Sequence, residues 1–184
     1  MKRIACFVAA SVLGLGLVAC ASSETETLSQ DGDGSDTPTQ VGPISFDLPE
    51  GFEEVFLEAD VTNGWVGEYA NDTESPDAFV GVWRFEDPPS RAIDAAGQMM
   101  TLIRAAETHP GLQTSEAGST DIAGAEDAYV IDLSSDADTA GRWWVVVDAD
   151  NDIAAGVEFY GEDLTEDDLH AFADSLTFNA EQGW

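Results

Sequence analysis

The fold is decided by the stretch RWWVVVDADNDIAAGVEFY, residues 142–160. Over residues 142–147 both alternating sets of side chains are apolar, with Trp143 on one set and Trp144 on the other. Because successive side chains of a strand point to opposite faces, this strand must be covered on both sides. Residues 148–152 are rich in turn-forming Asp and Asn, and the chain then returns as a second apolar strand. The stretch therefore predicts a central strand at residues 142–147, with residues 153–160 paired back against it across the turn in an antiparallel sheet.

Further strands and two helices are predicted around this hairpin. Apolar positions that alternate or run together predict strands over residues 44–48, 65–69, 79–85 and 127–133. A helical repeat over residues 91–107 predicts a helix with one broad buried face, which includes Ile93 and Met99. Short strands joined by hairpin-sized turns, together with two amphipathic helices, predict an α+β fold. We expect an antiparallel β-sheet covered by two helices in an α/β/α sandwich.

The second helix has a complete start signal. Thr165 is the predicted N-cap, and Asp168 stands where a capping box places its acid. Leu164 and Leu169 are spaced for a hydrophobic staple across the same turn. The signal predicts where this helix begins and that Leu169 and Phe172 belong to its buried stripe.

Two short motifs at the ends of this region resemble a known family. FDLPEGF, residues 46–52, resembles the strand-Pro-x-Gly-aromatic start of PsbP-like proteins, and SLTF, residues 175–178, resembles their closing element. The similarity extends from about Pro43 to Phe178. The superfamily includes LpqN-type lipoproteins of actinobacteria and has an α/β/α sandwich fold. The resemblance implies a compact accessory or partner-binding domain without shared catalytic residues.

The first twenty residues have the layout of a bacterial lipoprotein signal. Basic residues at 2–3 precede an apolar run at 4–18, which ends in the lipobox Leu17-Val18-Ala19-Cys20. The apolar run is shorter than the about 20 residues that a membrane-spanning helix needs. We predict that residues 1–19 are a signal peptide and that Cys20 is diacylated, with palmitate as the expected chain type. This modification would hold the protein on the extracytoplasmic face of the cell membrane.

Residues 20–42 are predicted to be a lipidated, disordered acidic tether. They consist largely of Ser, Thr, Asp, Gly and Gln, and cannot bury enough apolar surface to offset the entropy cost of ordering. The remaining residues, 43–184, are predicted to form a single α+β domain of ordinary size.

The composition is strongly acidic, with 37 Asp and Glu against 6 Lys and Arg and a formal net charge of −31. Such a surface repels nucleic acid and attracts cations. The acids are spread along the whole chain, which favours a solvated surface in a salt-adapted organism over a dedicated cation-binding surface. The domain contains no cysteine, because the chain has only Cys6 and Cys20, and this excludes disulfides and thiol catalysis there.

One segment partly matches a calcium-binding loop. Asp148, Asp150 and Asp152 occupy the D-x-D-x-D positions of an EF-hand, but Ile153 replaces its glycine and Phe159 replaces its bidentate Glu. A hairpin turn explains the same residues. We therefore predict no metal site and no cofactor, and keep the three aspartates as the only metal candidates.

Other catalytic signals are missing from the sequence. The two histidines, His109 and His170, lack the spacing of zinc ligands, and no nucleophile elbow or phosphate-binding loop is present. We predict no catalytic residue. Trp65 and Trp83 lie in predicted strands, where tryptophan is usually core, although an exposed indole beside acids would suit an organic cation or a sugar.

Two classes of function fit these observations. The first is a lipid-anchored envelope protein whose non-catalytic domain binds an envelope protein or a small ligand, with the membrane contacted through the lipid on Cys20. The alternative is an acidic, metal-dependent envelope enzyme. A pocket that gathers carboxylates of shifted pKa would favour the enzyme.

Overall fold

The computed structural model describes residues 37–55, 64–106, 113–134 and 139–184. The lipobox and most of the predicted tether lie outside these ranges. In chain order the described elements are β1 (Thr39–Val41), β2 (Ile44–Phe46), β3 (Glu53–Glu54), β4 (Trp65–Ala70), β5 (Ala78–Arg84), α1 (Ala92–Ala106), β6 (Gln113–Ser119), β7 (Asp127–Ser134), β8 (Thr139–Asp148), β9 (Ile153–Glu162), α2 (Glu166–Ser175), β10 (Thr177–Phe178) and a short 3-10 turn (Ala180–Gln182).

Seven of the described strands build one large antiparallel sheet in the order β3-β4-β5-β9-β8-β7-β6. Strand β8 lies inside this sheet and pairs back with β9, as predicted, with ten residue pairs from Asp148↔Ile153 to Thr139↔Glu162. Trp143 and Trp144 are both buried, and they lie in different apolar clusters because they project from opposite faces of β8. The predicted double burial of this strand is therefore confirmed.

Each face of the large sheet packs against one helix. The α1 face, defined by Trp143, Val145 and Val147 of β8, packs against Ala92, Ala95, Ala96 and Met99 of α1. The α2 face, defined by Trp144 and Val146, packs against Leu169, Phe172 and Leu176. The α+β class, the antiparallel sheet and the two helices agree with the prediction. Within the described residues, no helix has the length and apolar character needed to cross a membrane.

The prediction of one sheet covered by helices alone needs correction. Residues 44–46, expected as a strand of the main sheet, form a separate three-stranded sheet in the order β1-β2-β10. Ile44, Phe46 and Phe178 of this small sheet join the apolar cluster on the α2 face. The α2 face is therefore covered jointly by a helix and by strands, because one ten-residue helix cannot cover the long strands beneath it.

The predicted boundary between tether and domain at residue 42 also needs correction. Thr39–Val41 form β1, which pairs antiparallel with β2 in the register Val41↔Ile44. Gly42, between the two strands, has φ +54, a left-handed conformation that glycine adopts without steric cost. The indole of Trp184 lies against this glycine. Strand β1 is thus ordered by backbone pairing with β2, although the polar composition of this segment predicts no strand.

The helices follow their predicted signals with one exception. Thr165 caps α2, and the reciprocal capping box with Asp168 is present. In α1, Met99 is buried but Ile93 is 49% exposed, although it was predicted to face the sheet. At 3.6 residues per turn Ile93 lies about 120° around the helix from Met99, so the true apolar stripe is narrower than the predicted one.

Candidate functional site

The three aspartates singled out in the sequence lie on one turn of the described structure without forming a group that could hold a metal ion. Cys20 lies outside the described residues, so its lipidation remains a prediction. Asp148, Asp150 and Asp152 lie at the β8–β9 connection, where the structure places the predicted hairpin turn. The two carboxylate oxygens of Asp148 accept hydrogen bonds from the backbone N and side-chain Nδ2 of Asn151, at 3.0 and 2.8 Å. Asp148 thus serves the turn itself.

The histidines likewise form no cluster that the structure describes. His109 lies outside the described residues, and His170 is on the exposed side of α2, with Nε2 at 3.3 Å from Glu166 Oε1. Within the described ranges, no group of three or more His, Cys, Asp or Glu side chains is arranged to hold a metal ion.

The α2 face carries a paired group of charges. Arg142 of β8 is largely buried, and its guanidinium donates to Asp132 Oδ1 at 2.6 Å and to Glu166 Oε1 at 2.7 Å. These contacts link β7, β8 and α2. The hydrogen bond from Arg142 lowers the pKa of Glu166, so this acid remains ionised. Both acids of this group are therefore paired with the positive charge of Arg142.

The α1 face carries a buried carboxylate of a different kind. Glu158, in the middle of β9, is only 4% exposed and is the buried acid of the described core. The indole N–H of Trp143 donates to its Oε2 at 2.9 Å. Burial raises the pKa of Glu158 to about 8, against the lowering effect of the Trp143 hydrogen bond and with a further increase from Glu68.

A second carboxylate lies in the same cross-strand row as Glu158. Glu68 of β4 pairs with Gly81 of β5, and Gly81 pairs with Glu158 of β9. Gly81 has no side chain, so nothing of β5 stands between the two acids on this face. Burial also raises the pKa of Glu68. Two acids that both resist ionisation therefore flank one glycine.

Aromatic rings border this pair of acids. Trp65 and Trp83, which pair across β4 and β5, are half-buried and meet edge to face with ring centroids 5.1 Å apart. Phe79 and Tyr160 stack at 5.3 Å on the neighbouring row. The pKa of Tyr160 is raised by burial and by the nearby acids Glu158 and Glu68. The predicted possibility of a partly exposed indole beside acids is thus realised at Trp65.

A separate cleft opens on the other side of the sheet, beside α2. It has a volume of about 420 Å³. Its apolar wall contains three rings: Phe159 stands 6.0 Å from Phe52 and 4.9 Å from Phe172, measured between centroids. Asp47 and Asp168 complete the lining, and both are exposed. The interior of the cleft is therefore apolar, and its edge is acidic.

Sequence reasoning missed both sites, although one left a signal. In the run AAGVEFY, residues 154–160, Glu158 is the one charged residue among apolar neighbours. A charged side chain that is buried in a strand must be paired with an opposite charge or be neutral. The cleft left no such signal, because it depends on how the segment from Asp47 to Phe52 lies against α2.

Comparisons with known proteins identify no family. No protein family model matches the sequence, and no curated protein matches it. Among solved structures, the crystal structure of LpqN, described as involved in cell envelope biogenesis of Mycobacterium tuberculosis, aligns over 78% of this chain and 90% of LpqN. The TM-score is 0.47 and the sequence identity is 14%.

Proposed function

We propose that this chain is a lipid-anchored protein of the bacterial cell envelope, whose folded domain binds a small amphipathic ligand without catalysing a reaction. The observation that carries the proposal is the cleft beside α2. Its volume of about 420 Å³ falls within the about 300–1,000 Å³ of typical ligand pockets. The lipobox at Leu17–Cys20 supports the location, because it would hold the domain beside a membrane that is rich in amphipathic molecules.

The lining of the cleft defines the chemical class of the ligand. The rings of Phe52, Phe159 and Phe172 offer an apolar surface that suits an alkyl chain or a flat ring. Asp47 and Asp168 lie at the edge, so the polar end of the ligand would be neutral or positively charged. The pKa of Asp168 is lowered by hydrogen bonds from Thr165, which keeps this acid ionised.

The acidic enzyme remains the second candidate, and one observation favours it. Glu158 has the raised pKa of a general acid and has a second carboxylate, Glu68, nearby. Glu158 and Phe159 are neighbours in one strand, however, and therefore point to opposite faces of the sheet. The carboxylate of raised pKa and the cleft thus lie on different faces of the sheet, which supports binding in the cleft and not catalysis there.

A fluorescent amphiphile tests the cleft. We expect the uncharged probe N-phenyl-1-naphthylamine to bind the protein lacking residues 1–20 with a saturable rise in fluorescence. Ala171→Trp places a large ring on an exposed residue that lines the cleft, and should weaken binding by about tenfold or more by filling it. His170→Trp is the matched control, because His170 is exposed on the same helix but does not line the cleft. Equal affinities for the two variants would contradict the proposal.

The anchor is tested separately. Cells that express the full chain should incorporate a clickable palmitate analogue into the protein, and Cys20→Ala should remove the label and leave uncleaved precursor or soluble protein. Label that persists in Cys20→Ala would show that the lipid is attached elsewhere or that the leader has another role.

A further inference from the structure

We propose that a second binding site, for an organic cation of the alkylated ammonium class, lies on the α1 face of the sheet and is formed by Trp65, Trp83, Glu68 and Glu158. This cation site is on the side opposite the cleft and is independent of it. Nothing in the cleft proposal requires it.

The geometry of the site converges above Gly81. A Cβ at this glycine would stand 2.6 Å from the indole of Trp65 and 3.0 Å from Oε1 of Glu158. An indole and a carboxylate therefore meet over the same point of β5, with Glu68 in the adjacent position of the row. Trp83, edge to face with Trp65, extends the aromatic surface to the side.

The charges around this site are unbalanced in the described structure. The three arginine side chains that the structure describes are engaged elsewhere: Arg91 with Asp94, Arg142 with Asp132 and Glu166, and Arg84 over the ring of Trp184. Among the described residues, no ion pair reaches Glu68 or Glu158. A buried carboxylate is costly to ionise without a positive partner, so a bound cation would gain from Glu158 and from the half-buried Glu68 beside it.

The aromatic residues select an organic cation over a metal ion. Calcium prefers six to eight oxygen ligands, and the site offers only two carboxylates beside indole rings. An alkylated ammonium is weakly hydrated and is attracted to the face of tryptophan, which is the best of the aromatic side chains for this contact. The formal charge of −31 would also concentrate cations near the surface.

Binding at this site would be linked to proton release. The pKa of Glu158 is about 8, so this acid holds its proton at neutral pH. A cation placed beside it favours the ionised form and displaces that proton. The other titratable groups facing it are Glu68 from β4 and Tyr160 from β9. Gly81 of β5, Trp143 of β8 and Met99 of α1 carry no ionisable group.

A matched pair of small molecules tests the site. Choline and its uncharged carbon isostere 3,3-dimethylbutan-1-ol have the same shape but differ in charge. The full chain, purified in a nonionic detergent, is titrated with each at constant ionic strength and followed by tryptophan fluorescence and calorimetry. We expect saturable choline binding that strengthens from about pH 6 to about pH 9, with proton uptake by the buffer, and at least about tenfold weaker binding of the isostere.

Three variants decide whether the acids are responsible. At about pH 9, Glu158→Gln and Glu68→Gln should each weaken choline binding by about tenfold, and Glu158→Gln should abolish its pH dependence. Asp150→Asn is the control for the loss of one charge, because this residue lies on the exposed turn. Equal binding of choline and the isostere, or wild-type affinity in both Gln variants, would overturn the proposal and leave Glu158 with a structural role only.

Discussion

Carboxylates on the two faces of the β8–β9 hairpin have different hydrogen-bond partners and different charge states. On the α2 face, Asp132 and Glu166 are bridged by Arg142. On the α1 face, Glu158 is more deeply buried, and its described partner is an indole N–H of Trp143. The first arrangement keeps Glu166 ionised, whereas the second raises the pKa of Glu158 to about 8.

The two faces thus differ in whether the charge of an acid is already paired within the protein or can still be paired by a proton or a ligand. A carboxylate that already contacts a guanidinium is neutralised within the molecule and has little to offer a ligand. A buried acid without a cationic partner pays a desolvation cost in the folded state, which a proton or a ligand can relieve. A change of pH or of a cationic solute should therefore act on the carboxylates of the α1 face, and not on Asp132 and Glu166 of the α2 face, which Arg142 already pairs.

The largest effect is expected from Glu158→Gln, measured as stability against pH. The pKa of Glu158 is near 4.5 in the unfolded chain and about 8 when folded, so the folded state binds more protons between these values. The contribution of the protonated acid is complete below about pH 4.5 and is lost as the pH rises through 8. Relative to wild type, Glu158→Gln should gain up to roughly 5 kcal/mol between about pH 4 and about pH 9.

Urea unfolding at both ends of this range measures the effect. Glu162→Gln, an exposed change in the same strand, should show little change in relative stability across the range. A pH-independent difference between wild type and Glu158→Gln would mean that the pKa of Glu158 is the same in the folded and the unfolded chain, and the contrast between the two faces would disappear.

A smaller effect is expected on the α2 face. Arg142→Met should lower the free energy of unfolding by about 1–2 kcal/mol, because it leaves Asp132 partly buried without its partner. Arg91→Met is the control, since its pair with Asp94 is exposed to water and should contribute less than the contacts of Arg142. Thermal unfolding at low and high salt checks both variants. Equal losses would show that burial of Arg142 adds nothing.

The smallest effect is expected at the hairpin turn, which belongs to neither face. Replacing Asp150 and Asp152 together by Asn should change stability by less than about 0.5 kcal/mol, because both residues are exposed. Asn also tolerates the positive φ of 57° found at Asp152. Calcium titration by calorimetry should be the same for wild type and variant. Saturable calcium binding that the double substitution removes would revive the metal-dependent alternative.

The parts of the fold that were predictable carry local signals. The two-sided apolar pattern at Trp143 and Trp144 predicted the centre of the sheet, and the capping box at Thr165 predicted the start of α2. Strands β1 and β6 carry no such signal. The sequence of β6, QTSEAGS, is polar and lies at the edge of the sheet, so its conformation depends on pairing with β7.

The sites were harder to predict than the fold, for a physical reason. The acid pair depends on a register that places Glu68, Gly81 and Glu158 in one row across three strands. A shift of one residue in either pairing would move an acid to the other face. The cleft depends on Phe52 and Phe172, which are far apart in the chain, both packing against Phe159. Neither arrangement can be derived from local periodicity.

The small sheet gives this protein a late step in its assembly. Strand β2 lies between β1 and β10, and the neighbouring contact from Asp47 N to Ser175 Oγ spans 128 residues. A chain that emerges amino end first must therefore hold Ile44–Phe46 with one open edge until the last strand arrives. Open strand edges are what aggregation and proteolytic surveillance act upon. A chain that stops before Thr177–Phe178 would thus leave unpaired the edge of β2 that β10 covers.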